Sequence, residues 1–306
     1  MTRAVRFDQY GGIDVLQVVE VEKPTAAPGE VIVQVKAAGI NPGEATIRQG
    51  FFDAVVPATF PSGQGSDLAG VISEIGDGVG HFTVGDEVLG WSWRRSSQAE
   101  YVAVPAAQLI PKPAELSWSA AGSLYVVGVT AFAAVRAIDA KPGETVVVSA
   151  AAGGVGVVVV QLLRLKGARV LGIASESHHS WLKSHGVLPV AYGDGLADRL
   201  RAAAPSGIDA FVDLFGPEYL DLAVELGVAR DRIETIISFE AAQKYGTKAE
   251  GSGDATTTEV LAEMAGYVAT GRIDLPIAAT FPLEDVRLAY TELEKRHTRG
   301  KIVLIP

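Results

Sequence analysis

The stretch Thr145-Val146-Val147-Val148-Ser149-Ala150-Ala151-Ala152-Gly153-Gly154-Val155-Gly156 decides the fold, because a β-branched run meets a turn of small residues and an apolar helical pattern follows. Small residues at 150, 153 and 156 allow the backbone to turn sharply, to approach a pyrophosphate closely and to pack the helix on its strand. The amide groups that begin such a helix, with the helix dipole behind them, favour an anion. The stretch therefore predicts a dinucleotide-binding turn.

Glycine-rich turns also join strands to helices that bind nothing, and residue 150 is Ala where the fingerprint has glycine. The context favours binding, because a helical pattern follows at 155–167 and a further strand at 168–174 arrives at βαβ spacing. Residues 145–165 are also apolar enough and long enough to suggest a membrane span. The small residues 151–154 after a β-branched beginning fit a buried parallel strand and helix better. We expect no transmembrane helix.

The bulk composition limits the class of protein. A chain of 306 residues exceeds one ordinary core, so two domains are expected. The net charge of −10 is spread without a basic cluster, which argues against nucleic acid and anionic membrane surfaces as partners. The absence of cysteine excludes disulfides, thiolate nucleophiles and cysteine-ligated zinc. The first residues carry no uninterrupted apolar segment, so a soluble cytoplasmic protein is expected.

The secondary-structure signals change character near residue 117. Before it, short apolar runs separated by turns predict strands at 31–38, 69–75, 87–89 and 99–104, with little helix. After it, a helix at 119–139 precedes an alternation typical of a doubly wound parallel sheet. The predicted strands are 145–149, 169–173, 188–191, 208–213 and 233–238, and the predicted helices are 155–167, 178–185, 195–204, 217–227, 258–270 and 283–297. We expect a loop at 240–257 and a final strand at 301–305.

Six short motifs in order resemble the medium-chain dehydrogenase/reductase superfamily, in its zinc-independent quinone oxidoreductase branch. They are Ala38-Gly39-Ile40-Asn41-Pro42 with Ile47-Arg48-Gln49-Gly50, Gly65-Ser66-Asp67-Leu68-Ala69-Gly70-Val71, Val84-Gly85-Asp86-Glu87-Val88, Gly128-Val129-Thr130-Ala131, Ala151-Ala152-Gly153-Gly154-Val155-Gly156 and Arg299-Gly300-Lys301-Ile302-Val303-Leu304. The resemblance implies an α/β protein with a GroES-like β-barrel domain over 1–121, completed by 268–306, and a Rossmann domain over 122–267. It also implies a homodimer through the Rossmann sheet edge.

The resemblance implies a site without zinc. Zinc-dependent relatives carry a cysteine where Asn41-Pro42 stands, together with a cysteine-rich structural zinc loop, and this chain has neither. His178, His179 and His185 fall on or beside one helix and are expected to be surface residues rather than metal ligands. Hydride addition to a conjugated acceptor needs less Lewis acid help, because the developing charge spreads over several atoms.

The end of the second Rossmann strand bears on the choice of dinucleotide, because an acidic residue there accepts the ribose 2′-OH of NAD. Ala174-Ser175 resembles NADPH-dependent relatives, in which the serine meets the 2′-phosphate, and Lys183 and Tyr192 fall near the same group. Glu176 leaves NADH open, but NADPH is favoured. As plain structure, Ser175 would be a helix N-cap, Lys183 a solvated residue and Tyr192 half-buried core.

Further cofactor residues are implied by the resemblance. Asn41 and Thr130 would meet the nicotinamide and its ribose, with Asn41 in a positioning role. The remaining candidates are Ala152, Gly153, Gly154, Val155 and Gly156 in the turn, Phe215, Ser238 and Phe239 after two strands, and Arg299 and Lys301 in the closing motif. Asn41 could instead form a turn before Pro42, and the two phenylalanines could be core.

The expected reaction is hydride transfer from NADPH to a quinone or an α,β-unsaturated carbonyl, a small molecule. The two tyrosines that line the pocket of quinone reductase relatives are replaced by Thr46 and Phe52, which leaves Tyr125 as a weak candidate catalytic hydroxyl. Phe51, Phe52, Trp91 and Trp93 suggest an aromatic substrate pocket, although the tryptophans could equally be sheet packing. A dedicated biosynthetic enoyl reductase and a non-catalytic NADPH-binding protein stay open as alternatives.

Overall fold

The computed structural model describes residues 1–55 and 57–306. The strands are β1 Thr2–Phe7, β2 Gln17–Val21, β3 Glu30–Gly39, β4 Ser62–Gly63, β5 Asp67–Ile75, β6 Glu87–Trp91, β7 Tyr101–Pro105, β8 Leu109–Pro111, β9 Thr145–Val148, β10 Arg169–Ile173, β11 Leu188–Val190, β12 Ala210–Asp213, β13 Ile233–Thr235, β14 Ile277–Pro282 and β15 Lys301–Ile305. The helices are α1 Pro42–Arg48, α2 Trp118–Ala121, α3 Tyr125–Ala137, α4 Gly154–Leu165, α5 His179–Ser184, α6 Leu196–Ala203, α7 Pro217–Glu225, α8 Phe239–Tyr245, α9 Thr258–Ala269 and α10 Val286–Glu294.

The chain forms two compact units. Unit 1 comprises Met1–Val126, Thr257–Arg272 and Pro276–Pro306, and unit 2 comprises Val127–Thr256 with Ile273–Leu275. This division follows packing alone. The domain limits expected from the sequence, 1–121 with 268–306 and 122–267, stay a prediction.

Unit 2 is built on a parallel sheet in the order β11-β10-β9-β12-β13. Its central strand β9 is fully buried, because the β-branched run Thr145–Val148 is covered on both faces. Leu171, Phe211 and Leu220 pack with it in one apolar cluster. The chain crosses from β9 to β10 through α4, which confirms the predicted doubly wound α/β sheet.

Unit 1 is mainly antiparallel. One sheet runs β14-β15-β3-β5-β6-β8, with β7 also paired to β3, and a smaller sheet runs β2-β1-β4. The closing strand β15 lies between β14, to which it is parallel, and β3, to which it is antiparallel. Unit 1 is therefore completed by residues 276–306.

Two parts of unit 1 differ from the predicted secondary structure, one near residue 122 and one at residues 42–48. The helix expected at 119–139 is broken into α2 and α3, because a side chain on Gly122 would lie 2.3 Å from the Ala37 carbonyl oxygen and the Gly39 amide donates to the Gly122 carbonyl at 2.6 Å. Helix α1 also stands where strands and turns were expected. Pro42 at its first turn and Glu44 three residues after Asn41 are helix-start signals that the apolar pattern does not carry.

The loop expected at 240–257 is wrong in its first half, where α8 stands. Ala242 on this helix is 2% exposed and joins the unit 2 core, and the helix ends at Gly246 with φ 69°. Ala242 is the one buried residue of this seven-residue helix, so the sequence shows no clear helical period. Lys248 then pairs with Glu234 in a single parallel bridge.

None of the helices within residues 1–55 and 57–306 combines the length and the apolar character that a bilayer crossing requires.

Candidate functional site

The glycine turn between β9 and α4 has the geometry of a close backbone approach. Ala150 adopts φ 44°, a left-handed conformation that costs an alanine about 1 kcal/mol relative to glycine. A Cβ on Gly156 would lie 2.2 Å from the Ala150 carbonyl oxygen, so this position admits only glycine without a shift of backbone. A Cβ on Gly153 would meet only that same oxygen, at 3.3 Å. Gly156 thus serves helix packing, whereas Gly153 leaves space in front of the turn.

The amino end of α4 is open. Its N-cap is Gly153, so no side chain accepts a hydrogen bond from the first amides of this 12-residue helix. These amides have no carbonyl partner within the helix. Unpaired N–H groups at the positive end of the helix dipole form an anion-binding position.

A buried carboxylate, Asp213, organises the loops at the carboxyl ends of β9, β12 and β13. Its Oδ1 accepts from Ser149 Oγ at 2.9 Å and from the amides of Phe215 and Gly216 at 2.9 and 3.1 Å. Its Oδ2 accepts from Thr235 Oγ1 at 2.8 Å and Ser238 Oγ at 3.0 Å. The predicted residues Phe215 and Ser238 are therefore brought together by a side chain that sequence reasoning missed.

The exposed fractions decide three alternatives in unit 2. Phe215 is 37% exposed, Phe239 48% and Tyr192 51%, so none of them is a core residue. Phe215 contacts the Tyr219 ring edge to face, with centroids 5.7 Å apart. Thr130, on α3, is buried with 6% exposure.

Ser175 lies directly after β10, as predicted for a residue near the adenosine ribose. It occupies the position before a 3-10 turn over Glu176–His178 but makes no capping hydrogen bond there. Its hydroxyl instead pairs with Ser177 Oγ at 2.8 Å. Lys183 and Glu176 are both exposed. This loop presents hydroxyls, one ammonium and one carboxylate to solvent.

In unit 1, Asn41 and Lys301 meet in the core. Lys301 Nζ donates to Asn41 Oδ1 at 2.5 Å and to the Ile40 carbonyl at 2.9 Å, and it lies 3.4 Å from Asp67 Oδ2. Asn41 Nδ2 donates to Asp67 Oδ2 at 3.0 Å and to Glu44 Oε1 at 3.2 Å. The closing strand thus delivers an ammonium to the residue that follows β3.

A second layer of buried polar groups surrounds Glu44. The Tyr290 hydroxyl accepts from Gln64 Nε2 at 2.9 Å and Gln98 Nε2 at 2.8 Å, so its own proton goes to Glu44 Oε2 at 2.8 Å. Glu44 also accepts from the Asn41 and Ser66 amides at 3.1 and 2.9 Å. Burial, and then the charge of Asp67, raise the pKa of Glu44, while hydrogen bonds from Asn41 and Tyr290 and the charge of Lys301 oppose this rise.

The aromatic candidates of unit 1 form one cluster around Trp91. The Tyr125 ring stacks on Trp91 with centroids 4.9 Å apart, and Trp93 meets both rings edge to face. Trp91 and Tyr125 are 4% and 3% exposed, whereas Trp93 is 56% exposed. Strand β6 ends at Trp91, so Trp93 lies in the following turn rather than in the strand. The cluster offers one exposed aromatic surface over two buried rings.

The other predicted site residues of unit 1 have different surroundings. Thr46 donates its hydroxyl to the Pro42 carbonyl within α1 at 3.1 Å. Phe51 is 76% exposed, and Phe52 is half-buried. Among the described residues no partner is found for the buried Nε of Arg299, which leaves a donor for a ligand acceptor.

Sequence analysis missed three residues of the site, and two of them carried recognisable sequence signals. Glu44 stands at the third helical position after Asn41, where a carboxylate accepts the N-cap amide. Asp213 is the last residue of a predicted buried strand, where parallel sheets present ligand-facing groups. Tyr290 carried none, because its partner Glu44 is 246 residues away in the chain.

Comparison with known proteins gives two family matches. An alcohol dehydrogenase GroES-like domain matches residues 27–114, and a zinc-binding dehydrogenase domain matches residues 185–304. The first match agrees with the predicted GroES-like domain.

Full-length relatives are also similar. Quinone oxidoreductase 1 of Escherichia coli K12 is 29% identical over 333 aligned residues, covering 100% of both chains. Among solved structures, the quinone oxidoreductase of Coxiella burnetii has a TM-score of 0.90 at 29% identity, covering 100% of this chain and 99% of the other. That of Escherichia coli, complexed with NADPH, has a TM-score of 0.89 at 26% identity, covering 99% of this chain and 100% of the other.

Proposed function

Because this chain belongs to the medium-chain dehydrogenase/reductase superfamily, in its quinone oxidoreductase-like branch, we propose that it is an NADPH-dependent, zinc-free oxidoreductase. Its acceptor is a quinone or an α,β-unsaturated carbonyl. The observation that carries the proposal is the glycine turn before α4, where a Cβ on Gly153 would meet a single atom, at 3.3 Å, and no side chain caps the helix end.

The residues present fit a dinucleotide. The pyrophosphate is assigned to the turn at Ala152, Gly153, Gly154, Val155 and Gly156, where no side chain caps the first amides of α4. Phe215, Ser238 and Phe239 stand at the carboxyl ends of neighbouring strands, where a doubly wound sheet presents ligands. The buried unpaired Nε of Arg299, among the described residues, supplies a further donor.

When bound, NADPH supplies the hydride. The role of the chain's own residues is to bind and orient the cofactor. Asn41 and Thr130 are assigned to the nicotinamide half, and Lys301 holds Asn41 in place through its contact with Oδ1. No single side chain is assigned the proton-donor role, since Tyr125 is buried against Trp91 and Thr46 bonds within its own helix.

We assign the 2′-phosphate to the loop after β10. Ser175 and Ser177 offer hydroxyls, and Lys183 on α5 offers an ammonium. The exposed Glu176 adds a negative charge that would weaken binding of a phosphate. The preference for NADPH over NADH is therefore expected to be modest. Ser175→Asp is expected to reverse the preference, because a carboxylate accepts the 2′-OH and repels the phosphate.

The zinc-free assignment rests on ligand chemistry. The chain contains no cysteine, and the oxygen atoms of Ile40, Asn41 and Asp67 are already turned toward the ammonium of Lys301. Dialysis against a chelator is expected to leave the turnover rate unchanged, and elemental analysis is expected to find less than one zinc per chain. Loss of activity on chelation, restored by zinc, would contradict the assignment.

The acceptor is assigned to an aromatic surface of unit 1. Trp93 is exposed above the buried Trp91 and Tyr125, and Phe51 and Phe52 follow α1. Flat conjugated molecules stack on such rings. The alternative functions are a biosynthetic enoyl reductase of narrow specificity and a non-catalytic NADPH-binding protein. Thr46 and Phe52 lack the phenolic hydroxyls found in quinone reductase relatives, which gives the non-catalytic alternative its support.

The deciding experiment is steady-state oxidation of NADPH, with NADH in parallel, against a panel of quinones and 2-alkenals. Faster turnover with NADPH supports the proposal, and the better acceptor class separates quinone from enone. Saturable NADPH binding with no acceptor reduced contradicts a general reductase and leaves the two alternatives.

We also propose a homodimer through the edge of the unit 2 sheet. Strand β13 is not the outermost segment at that edge, because residue 248 pairs with it. The Lys248 amide donates to the Ile233 carbonyl at 3.0 Å, and the Lys248 carbonyl accepts from the Thr235 amide at 3.2 Å. A partner chain would therefore pair with residues 247–250. A cytoplasmic location stays a prediction.

A further inference from the structure

The surroundings of the Asn41 side-chain amide favour one of its two possible orientations. Its nitrogen faces two carboxylates, Glu44 Oε1 at 3.2 Å and Asp67 Oδ2 at 3.0 Å, and its oxygen faces the Lys301 ammonium at 2.5 Å. A flipped amide would place a carbonyl oxygen against both carboxylates and an NH₂ group against an ammonium. Each of those contacts is repulsive.

This arrangement uses both amide protons of Asn41. One lone pair of Oδ1 is occupied by Lys301, and the other is the only hydrogen-bonding capacity of the side chain that remains. Toward a cofactor, Asn41 can therefore accept a hydrogen bond but cannot donate one. The donors available on the nicotinamide half of NADPH are ribose hydroxyls and the carboxamide NH₂.

Glu44 is the group that enforces this orientation from within α1. It is 4% exposed, and N–H or O–H groups point at both of its oxygens: the Asn41 and Ser66 amides, the Asn41 side chain, Tyr290 and Gln98. A carboxylate satisfies this set of donors, whereas a carboxamide would turn an NH₂ group toward some of them. Asp67 shares the task, but it also holds the Val126 amide at 2.7 Å.

We propose that Glu44 is a positioning residue for the cofactor, acting through Asn41, which it fixes as a pure hydrogen-bond acceptor. The inference rests on the proposed function in one respect, the assignment of Asn41 to the nicotinamide half. It assigns no chemical step to Glu44 and extends the site to a carboxylate with no exposed face.

The test compares Glu44→Gln with Tyr290→Phe. Glu44→Gln keeps the size but puts an NH₂ group among donors, which removes one of the two carboxylates that face the Asn41 nitrogen and so weakens the preference for one amide orientation. Tyr290→Phe removes the O–H that Glu44 accepts and one hydrogen-bond acceptor each of Gln64 and Gln98, which keep weaker hydrogen bonds to Glu44, and it leaves both carboxylates on Asn41. Both variants should unfold at lower temperature than the wild type.

NADPH affinity, measured by fluorescence titration of the full chain, separates the two variants. Glu44→Gln is expected to weaken NADPH binding about tenfold, with a matching rise in KM for NADPH, which corresponds to about 1.4 kcal/mol. Tyr290→Phe is expected to bind NADPH as the wild type does. If Glu44→Gln does not fold, Glu44→Asp, whose shorter reach cannot hold Asn41 and Tyr290 together, is expected to show a smaller loss of the same kind.

Unchanged NADPH affinity in the Glu44 variant, or an equal loss in Tyr290→Phe, would overturn the inference, since Glu44 would then serve stability alone. The readout does not depend on turnover. A wild-type protein that binds NADPH but reduces no acceptor would contradict the proposed function while leaving this titration decisive for Glu44.

Discussion

Single residues in the glycine turn divide the tasks of folding and binding between them. Gly156 has no room for a methyl group because of the Ala150 carbonyl, whereas Gly153 has φ −70° and ψ 176°, values that any residue adopts, and faces open space. The two glycines therefore look alike in the sequence but are required for different reasons. That difference gives a clean pair of variants.

Gly153→Ala is expected to keep the protein within about 1 kcal/mol of wild-type stability, because one contact at 3.3 Å can relax. It should weaken NADPH binding at least about tenfold, because the methyl group occupies the space in front of the turn. Gly156→Ala should instead lower the free energy of unfolding by about 1–3 kcal/mol. Urea unfolding and NADPH titration check both. Wild-type affinity in Gly153→Ala would show that the pyrophosphate lies elsewhere.

Glu234, on β13, is a fully buried carboxyl whose Oε2 has no partner among the described residues. Burial is the main cause that raises its pKa from the ordinary 4.5 to about 8; the hydrogen bond from the Glu250 amide and the charge of Lys248 oppose the rise, and the charges of Glu250 and Asp254 add to it. Between these two values the native state keeps a proton that the unfolded chain has released. Raising the pH therefore lowers stability, by up to about 1.4 kcal/mol per pH unit.

Glu234→Gln removes this titration. Relative to the wild type, the variant is expected to become progressively more stable as the pH rises from 5 toward 8, with no further change above that range. Urea unfolding at several pH values measures the difference, and Glu240→Gln, at an exposed position of α8, is the matched control. A stability difference that is independent of pH would mean that Glu234 is ionised throughout the range.

At the scale of elements, one carboxylate holds the carboxyl ends of three parallel strands together. Asp213 accepts five hydrogen bonds, from Ser149, Phe215, Gly216, Thr235 and Ser238, which come from the ends of β9, β12 and β13. The loops that carry Phe215 and Phe239 are thereby fixed relative to the glycine turn.

Asp213→Asn is expected to lower the free energy of unfolding by about 3 kcal/mol, because an NH₂ group would face donors in a buried site. Ser238→Ala, which removes one of the five donors, should cost about 1 kcal/mol. Denaturant midpoints measure both. Equal effects of the two variants would show that Asp213 does not act as a common acceptor.

The sequence was sufficient for elements whose pattern is local. The strand and turn at 145–156, the strand at 169–173 and the last strand at 301–305 follow from β-branched runs and small residues, and the structure confirms them. Helix α8 was missed because a seven-residue helix with one buried residue carries no clear period, and α1 was missed because Pro42-Gly43 reads as a turn. The contact of Glu44 with Tyr290 depends on tertiary packing, which no local pattern encodes.

At the scale of the whole molecule, assembly depends on how the unit 2 sheet ends. Since Lys248 points its amide and carbonyl toward β13, the amide of Ala249 faces the other way. Light scattering is expected to find a dimer for the wild type, and Ala249→Pro, which removes that outward donor, should shift it toward monomer. A monomeric wild type would contradict the proposed dimer, and a dimeric Ala249→Pro of unchanged affinity would move the interface elsewhere.

The closing strand β15 sits between β14 and β3, and the same returning segment, residues 276–306, brings Tyr290 and Lys301 to Glu44 and Asn41. During synthesis on the ribosome, β3 emerges more than 200 residues before this partner strand, about ten seconds or longer at ordinary translation speeds. Unit 2 is almost continuous in sequence and can close first. The part of the chain that is made first is thus completed last, and until β15 arrives the end of β3 at Ala38 and Gly39 lacks the partner strand that it has in the folded protein.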